Sequence, residues 1–330
     1  VPERSALFQG VQIGAEATIG TSVAASKLLN YLGIDIDPDI AVVPFRPMGQ
    51  AVKSAILPSQ DSTTAASSGV GSYSEFIYPF SSLFGAVTPT TVDTTAKQWV
   101  WTPTARAEMT PKTYTVEAGG SVRAHKATGM FWTGAELTFN RTDGVAFSGT
   151  MRGQQLQDNI ALTGSPTAIE EVPILPTHID VYIDATSGGI GTTKLTRDFN
   201  VVWRNNDAYG VIWPLNSALA SWAAPVGTEP TVQLELTLEA DSQGMGLLTD
   251  LRAGSTKYVR IACISTLNAG ATTTKYSLTI DFAGKISASP TFDETDGVYT
   301  VNWTMDSVFD AAWGSGQYQK ITAVNKVAAL

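Results

Sequence analysis

Residues 275–305 (KYSLTIDFAGKISASPTFDETDGVYTVNWTM) limit the possible fold more than any other stretch of the chain. Tyr276, Leu278, Ile280 and Phe282 interleave with Lys275, Ser277, Thr279 and Asp281. A period of two marks a strand with one buried face and is incompatible with a helix. Asp293-Glu294-Thr295-Asp296-Gly297 supplies a turn, because Asp bonds its own backbone and Gly takes positive φ. The second run sets Tyr299, Val301, Trp303 and Met305 on one face. A weaker copy lies upstream in ELTFNRTDGVAFSGTM, residues 136–151. There Leu137-Thr138-Phe139 answers Leu278-Thr279-Ile280, Thr142-Asp143-Gly144-Val145 answers Thr295-Asp296-Gly297-Val298, and both copies close on Thr-Met.

Two further echoes keep the same order. Ile19-Gly20-Thr21-Ser22 matches Ile190-Gly191-Thr192-Thr193, and each half holds one short helix candidate, residues 74–84 and 245–253. The expected fold is therefore all-β with one short helix per half, built from two related β-domains in tandem. The first spans 1–170, with an N-terminal arm and a long mobile loop at about 50–74. The second spans 171–330 and ends in a C-terminal arm. Ser72 or Ser74 is the expected cap of the first helix and Gly85 its stop.

Charge narrows the function. The chain carries 21 basic and 30 acidic side chains, net −9, with 11 and 14 of them in residues 1–170. Gripping phosphate needs clustered Lys and Arg that displace counterions, so this balance argues against nucleic-acid binding. Cys263 is the only cysteine, which excludes an internal disulfide and suits a small buried hydrophobe. The N-terminal residues lack a basic-then-apolar signal pattern, and the longest uncharged apolar run, 76–92, is interrupted by prolines. A soluble protein with no membrane partner is expected.

Catalytic motifs do not emerge. His125 and His178 have no HExxH setting or neighbouring ligand cluster, and neither GxSxG nor GxxxxGK[ST] occurs. Gly188-Gly189-Ile190-Gly191 reads as a hairpin turn, and Asp293, Glu294 and Asp296 lack the order of a calcium loop. The eight tryptophans are scattered, as core residues would be. No enzyme activity, cofactor or metal is expected.

The order of landmarks matches a family. Ile19-Gly20-Thr21 leads to Phe45-Arg46-Pro47-Met48-Gly49, then Leu83-Phe84-Gly85, Trp99-Val100-Trp101-Thr102-Pro103 and Tyr114-Thr115-Val116-Glu117. Near the C-terminus come Tyr276-Ser277-Leu278-Thr279-Ile280-Asp281, Asp296-Gly297-Val298-Tyr299, Asp310, Trp313 and Asn325. In this order, over almost its whole length, the chain resembles the tail tube (major tail) proteins of long-tailed bacteriophages. Residues 186–225 match no part of that pattern and leave room for an insertion.

The resemblance implies a β-sandwich whose inner sheet joins those of its neighbours into a channel-lining barrel. Stacked rings would form the hollow tail of the virion, made in the bacterial cytoplasm. The tube would surround the tape-measure protein, meet tail terminator and distal tail or baseplate proteins at its ends, and pass DNA without specific binding. With two tube domains per chain, trimeric rings hold six domains; with one, hexameric rings are needed. Within that frame the acidic strand faces, Asp180 and Asp184 with Glu235 and Glu239, are the candidate lumen-facing residues, because repulsion keeps DNA from adsorbing. A capsid decoration or baseplate component and a glycan-binding adhesin are the competing expectations.

Overall fold

The computed structural model describes residues 10–103, 108–120, 122–216 and 218–330. In the first half, β1 (Gly10–Ala15), β2 (Lys27–Leu29), β3 (Leu32–Phe45) and β4 (Ala55–Val70) precede helix α1 (Ile77–Phe84). After it come β5 (Thr90–Asp93), β6 (Ala96–Trp101), β7 (Tyr114–Gly119), β8 (Ala124–Asn140), β9 (Gly144–Gly153), β10 (Leu156–Ile160) and β11 (Thr167–Ala168). The second half opens with β12 (Ile179–Asp184), β13 (Asp198–Asn206), β14 (Tyr209–Ile212), β15 (Ala224–Gly227) and β16 (Thr231–Glu239). Helix α2 (Ser242–Ala253) follows, then β17 (Lys257–Asn268), β18 (Lys275–Ile286), β19 (Thr291–Thr295), β20 (Val298–Ser307) and β21 (Gln319–Asn325). The protein is all-β, with one short α-helix in each half among the described residues.

One antiparallel sheet crosses the molecule in the order β3-β4-β9-β8-β13-β16-β20-β19. Strand β8 serves twice. Its residues 131–140 lie in this sheet, while 124–130 belong to a second layer ordered β1-β7-β8-β10. In the second half the corresponding layer is β12-β17-β18-β21, extended by β6 of the first half. The first half thus sets β1-β7-β8-β10 beside β3-β4-β9-β8, and the second sets β12-β17-β18-β21 beside β13-β16-β20-β19. Asp296 and Gly297 take positive φ (52° and 77°) between the paired Thr295 and Val298, and Gly144 does the same (81°) at the end of the β8–β9 turn. The alignment of Leu137-Thr138-Phe139 with Leu278-Thr279-Ile280 is corrected. The hairpin partner of β20 is β19, so β8 does the work of both β18 and β19.

The alternating runs bury the faces their patterns predict. Tyr276, Leu278, Ile280 and Phe282 are all buried, as are Val301, Trp303 and Met305 and the leucines of β16. The inner faces meet where Trp203 Nε1 on β13 donates to Gln319 Oε1 on β21 at 3.3 Å. Helix α1 is wedged in this core with every residue buried, and Phe80 touches the rings of Trp101 and Trp203 (5.6 and 6.0 Å). One apolar cluster runs through both halves. Cys263 sits within it as expected.

Several local expectations are corrected. The stretch at about 50–74 is not a mobile loop: β4 occupies 55–70 and pairs with β3 on one side and β9 on the other. Its sequence is poor in large apolar residues because the packing is tight. Ser67 Oγ accepts Trp132 Nε1 at 2.8 Å, and a Cβ on Gly69 would lie 1.9 Å from the Tyr31 carbonyl. The expected N-terminal arm falls partly on residues 1–9, outside the described residues; from Gly10 onward β1 is a core strand with Ile13 fully buried. Nor is the C-terminus free, since the Val327 carbonyl accepts Trp99 Nε1 at 3.2 Å and Leu330 packs on the core. Neither serine caps α1. Ser72 Oγ accepts the Ser74 N–H instead, whereas α2 is capped by Asp241, which accepts Gln243 and Gly244 N–H.

Candidate functional site

The long sheet has one face on the core and one on solvent, and the solvent face is almost free of large apolar side chains. Paired residues share a face, so the ladders define it strand by strand. Asp35 and Asp37 of β3 stand beside Ala66 and Thr64 of β4, which stand beside Thr150 and Arg152 of β9. Glu136 of β8 faces Ser148 on one side and Arg204 of β13 on the other. Glu235 and Glu239 of β16 face Thr304 and Thr300 of β20, and Gln233 faces Asp306. Carboxylates outnumber cations on this face.

The four predicted lumen residues do not form one surface. Glu235 and Glu239 lie on the face just described, and each is neutralised by a neighbour. Arg204 bridges Glu136 (2.5 Å) and Glu235, and Arg197 holds Glu239 at 2.5 Å. Asp180 and Asp184 lie on β12, in the other layer. Asp180 pairs with Lys194 at 2.5 Å. Asp184 is a turn-holder, only 7% exposed, that accepts the N–H groups of Gly191, Thr192 and Thr193 and the Thr192 hydroxyl. Its expected outward placement is therefore corrected: the Gly188–Gly191 turn folds back over it. Asp35 and Asp37, carboxylates of the long sheet with no cation partner among the described residues, lie outside the four expected positions. Their signal is the Ile34-Asp35-Ile36-Asp37 alternation, and the strand continues past Pro38. An edge strand tolerates proline because one side of its ladder is empty, and β3 pairs only with β4.

Burial alone would raise the pKa of Asp184, but the hydrogen bonds from Thr192, Thr193 and Gly191 outweigh it and hold the carboxyl below the usual range. A depressed folded pKa stabilises above the unfolded value of ~3.9 and is lost as pH falls through the folded one. Asp184→Ala is expected to lower unfolding free energy by about 2–3 kcal/mol at neutral pH. In urea melts, the gap between variant and parent should narrow below about pH 4. A gap that stays constant down to pH 2 would count against this role.

Both borders of the long sheet are open among the described residues. Strand β3 pairs only with β4, and β19 pairs only with β20. Phe292 and Tyr299 at the β19 border stack on one another (centroids 5.4 Å apart, planes at 7°) while remaining 49% and 60% exposed. At the opposite border, β4 loses its β9 neighbour beyond Thr63. The β3–β4 pair continues alone as a projecting arm to the Phe45–Ala55 pair and a turn at Pro47–Gln50. On it, Met48 and Val52 are 102% and 73% exposed.

A buried glutamate fastens the other end of β3, away from this arm. Glu75 accepts the N–H groups of Asn30, Tyr31 and Leu32, where β3 begins, and burial pushes its pKa up. Six tryptophans (99, 101, 132, 203, 222 and 303) are fully buried, which removes the basis for a sugar platform. No group of His, Cys, Asp and Glu among the described residues could hold a metal ion, and no described helix is long and apolar enough to cross a membrane. No protein-family model matches the chain, and no characterised protein matches it significantly.

Proposed function

We propose that the chain is a structural subunit that closes into rings and stacks as a hollow tube, the tail tube of a long-tailed bacteriophage. The observation that carries this reading is the junction between the two halves. Strand β8, the last of the β3-β4-β9-β8 set, pairs antiparallel with β13, the first of the next set. If the halves are tandem copies of one module, β19 closes the second set as β8 closes the first. The chain then ends on a border of the kind it has already joined internally, and a second copy offers the matching border at β3. Pairing β19 to the β3 of a neighbour repeats the internal junction and satisfies both open edges.

Geometry favours three chains per ring. Strands ~4.8 Å apart and tilted ~35–45° close at a backbone diameter of roughly 50 Å for about 24 strands, and roughly 100 Å for about 48. The smaller bore, lined by side chains, suits one DNA duplex or a tape-measure protein; the larger would confine neither. The face turned inward would be the polar one, whose excess of carboxylates repels phosphate. Rings would stack through heterologous contacts, the geometry that yields a filament.

Negative-stain microscopy of the purified protein at high concentration tests the reading. Tubes with three chains and pseudo-sixfold rings are the expected result. A lone particle that forms neither ring nor tube under tail-assembly conditions would overturn it, and sixfold rings of six chains would overturn the tandem reading.

A further inference from the structure

A cavity of about 500 Å³ opens at the end of the second half, between the ends of β13, β16 and β20 and helix α1. Its walls include Met109, Tyr209, Val232 and Tyr318, and its rim carries Glu108 and Glu229, neither of which has a cation partner among the described residues. The wall also includes Asn205, which is 1% exposed and whose Oδ1 has no donor among the described residues. The site is therefore apolar and acidic, with one buried acceptor left without a donor among the described residues. An orphaned buried acceptor is costly, so a donor is wanted there.

The projecting arm has the complementary chemistry. Residues 40–60 contain Arg46 and Lys53 and no acidic side chain, in a chain whose net charge is −9. Exposed Phe45, Met48, Val52 and Ile56 lie near the two cations in the sequence. A register shift at Ala41/Val42 gives the arm a place to bend.

The chain already contains a precedent for the docking. The β14–β15 hairpin interrupts the β13–β16 connection just as the arm interrupts the β3–β4 connection, and it lies across the first half. Its Trp222 is buried against Phe131 (5.7 Å, edge to face) and donates to the Gly153 carbonyl at 2.8 Å, while Ala208 N–H donates to the Thr133 carbonyl at 3.0 Å. The residues so covered lie where β8 enters the long sheet and at the end of β9. Trp132 pairs with Met151 as Ile286 pairs with Met305, so their counterparts in the second half are the ends of β18 and β20, and Ser307 at the end of β20 lines the open cavity.

We infer that the β3–β4 arm of one copy bends sideways into this cavity of the neighbouring copy in the same ring, setting Arg46 and Lys53 against Glu108, Glu229 and Asn205. The inference rests on the ring reading above and adds its lateral clasp. It differs from a contact between stacked rings, because arm and cavity lie at the same end of the long sheet: Asn205 pairs with Val232 and Ala135, and β4 leaves the sheet beyond Thr63 toward that end.

Two measurements test it. In the first, Val52→Cys and Glu229→Cys are combined in one chain and oxidised after assembly; the buried Cys263 stays silent. A lateral clasp links the chains of one ring, so denaturing gels should show a covalent ladder ending at the ring number. An open-ended ladder, or tubes with no cross-link, would overturn the clasp while leaving the tube reading intact. In the second, Glu108→Lys with Glu229→Lys should raise the concentration needed for assembly about tenfold or more, and Arg46→Glu with Lys53→Glu in the same chain should restore it. Assembly indifferent to the reversal would overturn the seat. Failure of the unaltered protein to associate at all would overturn ring and clasp together.

Discussion

Replacing Phe292 with Asp is expected to leave the chain folded and to abolish ring closure. Phe292 and Tyr299 lie on the side of β19 and β20 that carries the buried Val301, Trp303 and Met305, and they are exposed because the sheet stops there. The interior junction indicates what should cover them. In the proposed tandem reading, counting back from Met151 of β9 and Met305 of β20 makes Phe147 equivalent to Val301, and their partners Leu137 and Phe292 equivalent to each other. By the same count through Ala65 and Leu234, Ile36 of β3 corresponds to Trp203 of β13. Within the chain, Leu137 lies opposite Trp203 and both are fully buried. Between chains, Phe292 would lie opposite Ile36 of the partner subunit.

Burying the aromatic pair there contributes roughly 2–4 kcal/mol per junction, whereas a carboxylate in its place costs several. In the free chain the position is half exposed, so Phe292→Asp should change stability by less than about 1 kcal/mol. Size-exclusion chromatography should show monomer with an unchanged melting curve, and microscopy no rings. Phe292→Leu should still assemble. Normal rings from the Asp variant would rule out pairing at this border.

Much of this was legible in the sequence, in proportion to how local the cause was. Period-two alternation fixes which side chains of β16 and β18 are buried without reference to any partner, and the Asp-Gly turn fixes the β19–β20 hairpin. Strand β4 was misjudged because its requirement is not local: Ser67 is small and polar because Trp132, from elsewhere in the chain, donates its indole N–H to it, and Thr63 and Ala65 are buried between two neighbouring strands. The candidate face failed in part for the same reason. Glu235 and Asp180 look alike on paper, but strand order puts them in different layers, and a sequence does not display strand order. Arg204 is invisible as a neutralising group until β13 is seen between β8 and β16.

Trp203→Ala should be the most damaging single substitution to the fold, and its effect should reach both halves. Trp203 is fully buried on the strand that joins them, with Leu137 of the first half on one side and Leu234 of the second on the other. Its ring meets Phe80 and Phe84 of α1 at 6.0 and 6.4 Å, and its Nε1 holds Gln319 Oε1. Truncation opens a cavity costing about 3–5 kcal/mol and leaves Gln319 without that donor, for ~1 kcal/mol more. Against a total stability of ~5–15 kcal/mol, that is a third or more of what holds the domain. Because one apolar cluster crosses the junction, the loss cannot be confined to the second half. Far-ultraviolet circular dichroism and tryptophan fluorescence should fall together in a single transition, at much lower denaturant than for the parent chain. Trp203→Phe, which keeps the ring contacts and loses only the indole donor, should recover most of the difference. Two separated transitions in the Ala variant, with about half the β signal surviving the first, would mean that the halves hold themselves together independently and that the shared sheet is a contact surface, not a common core.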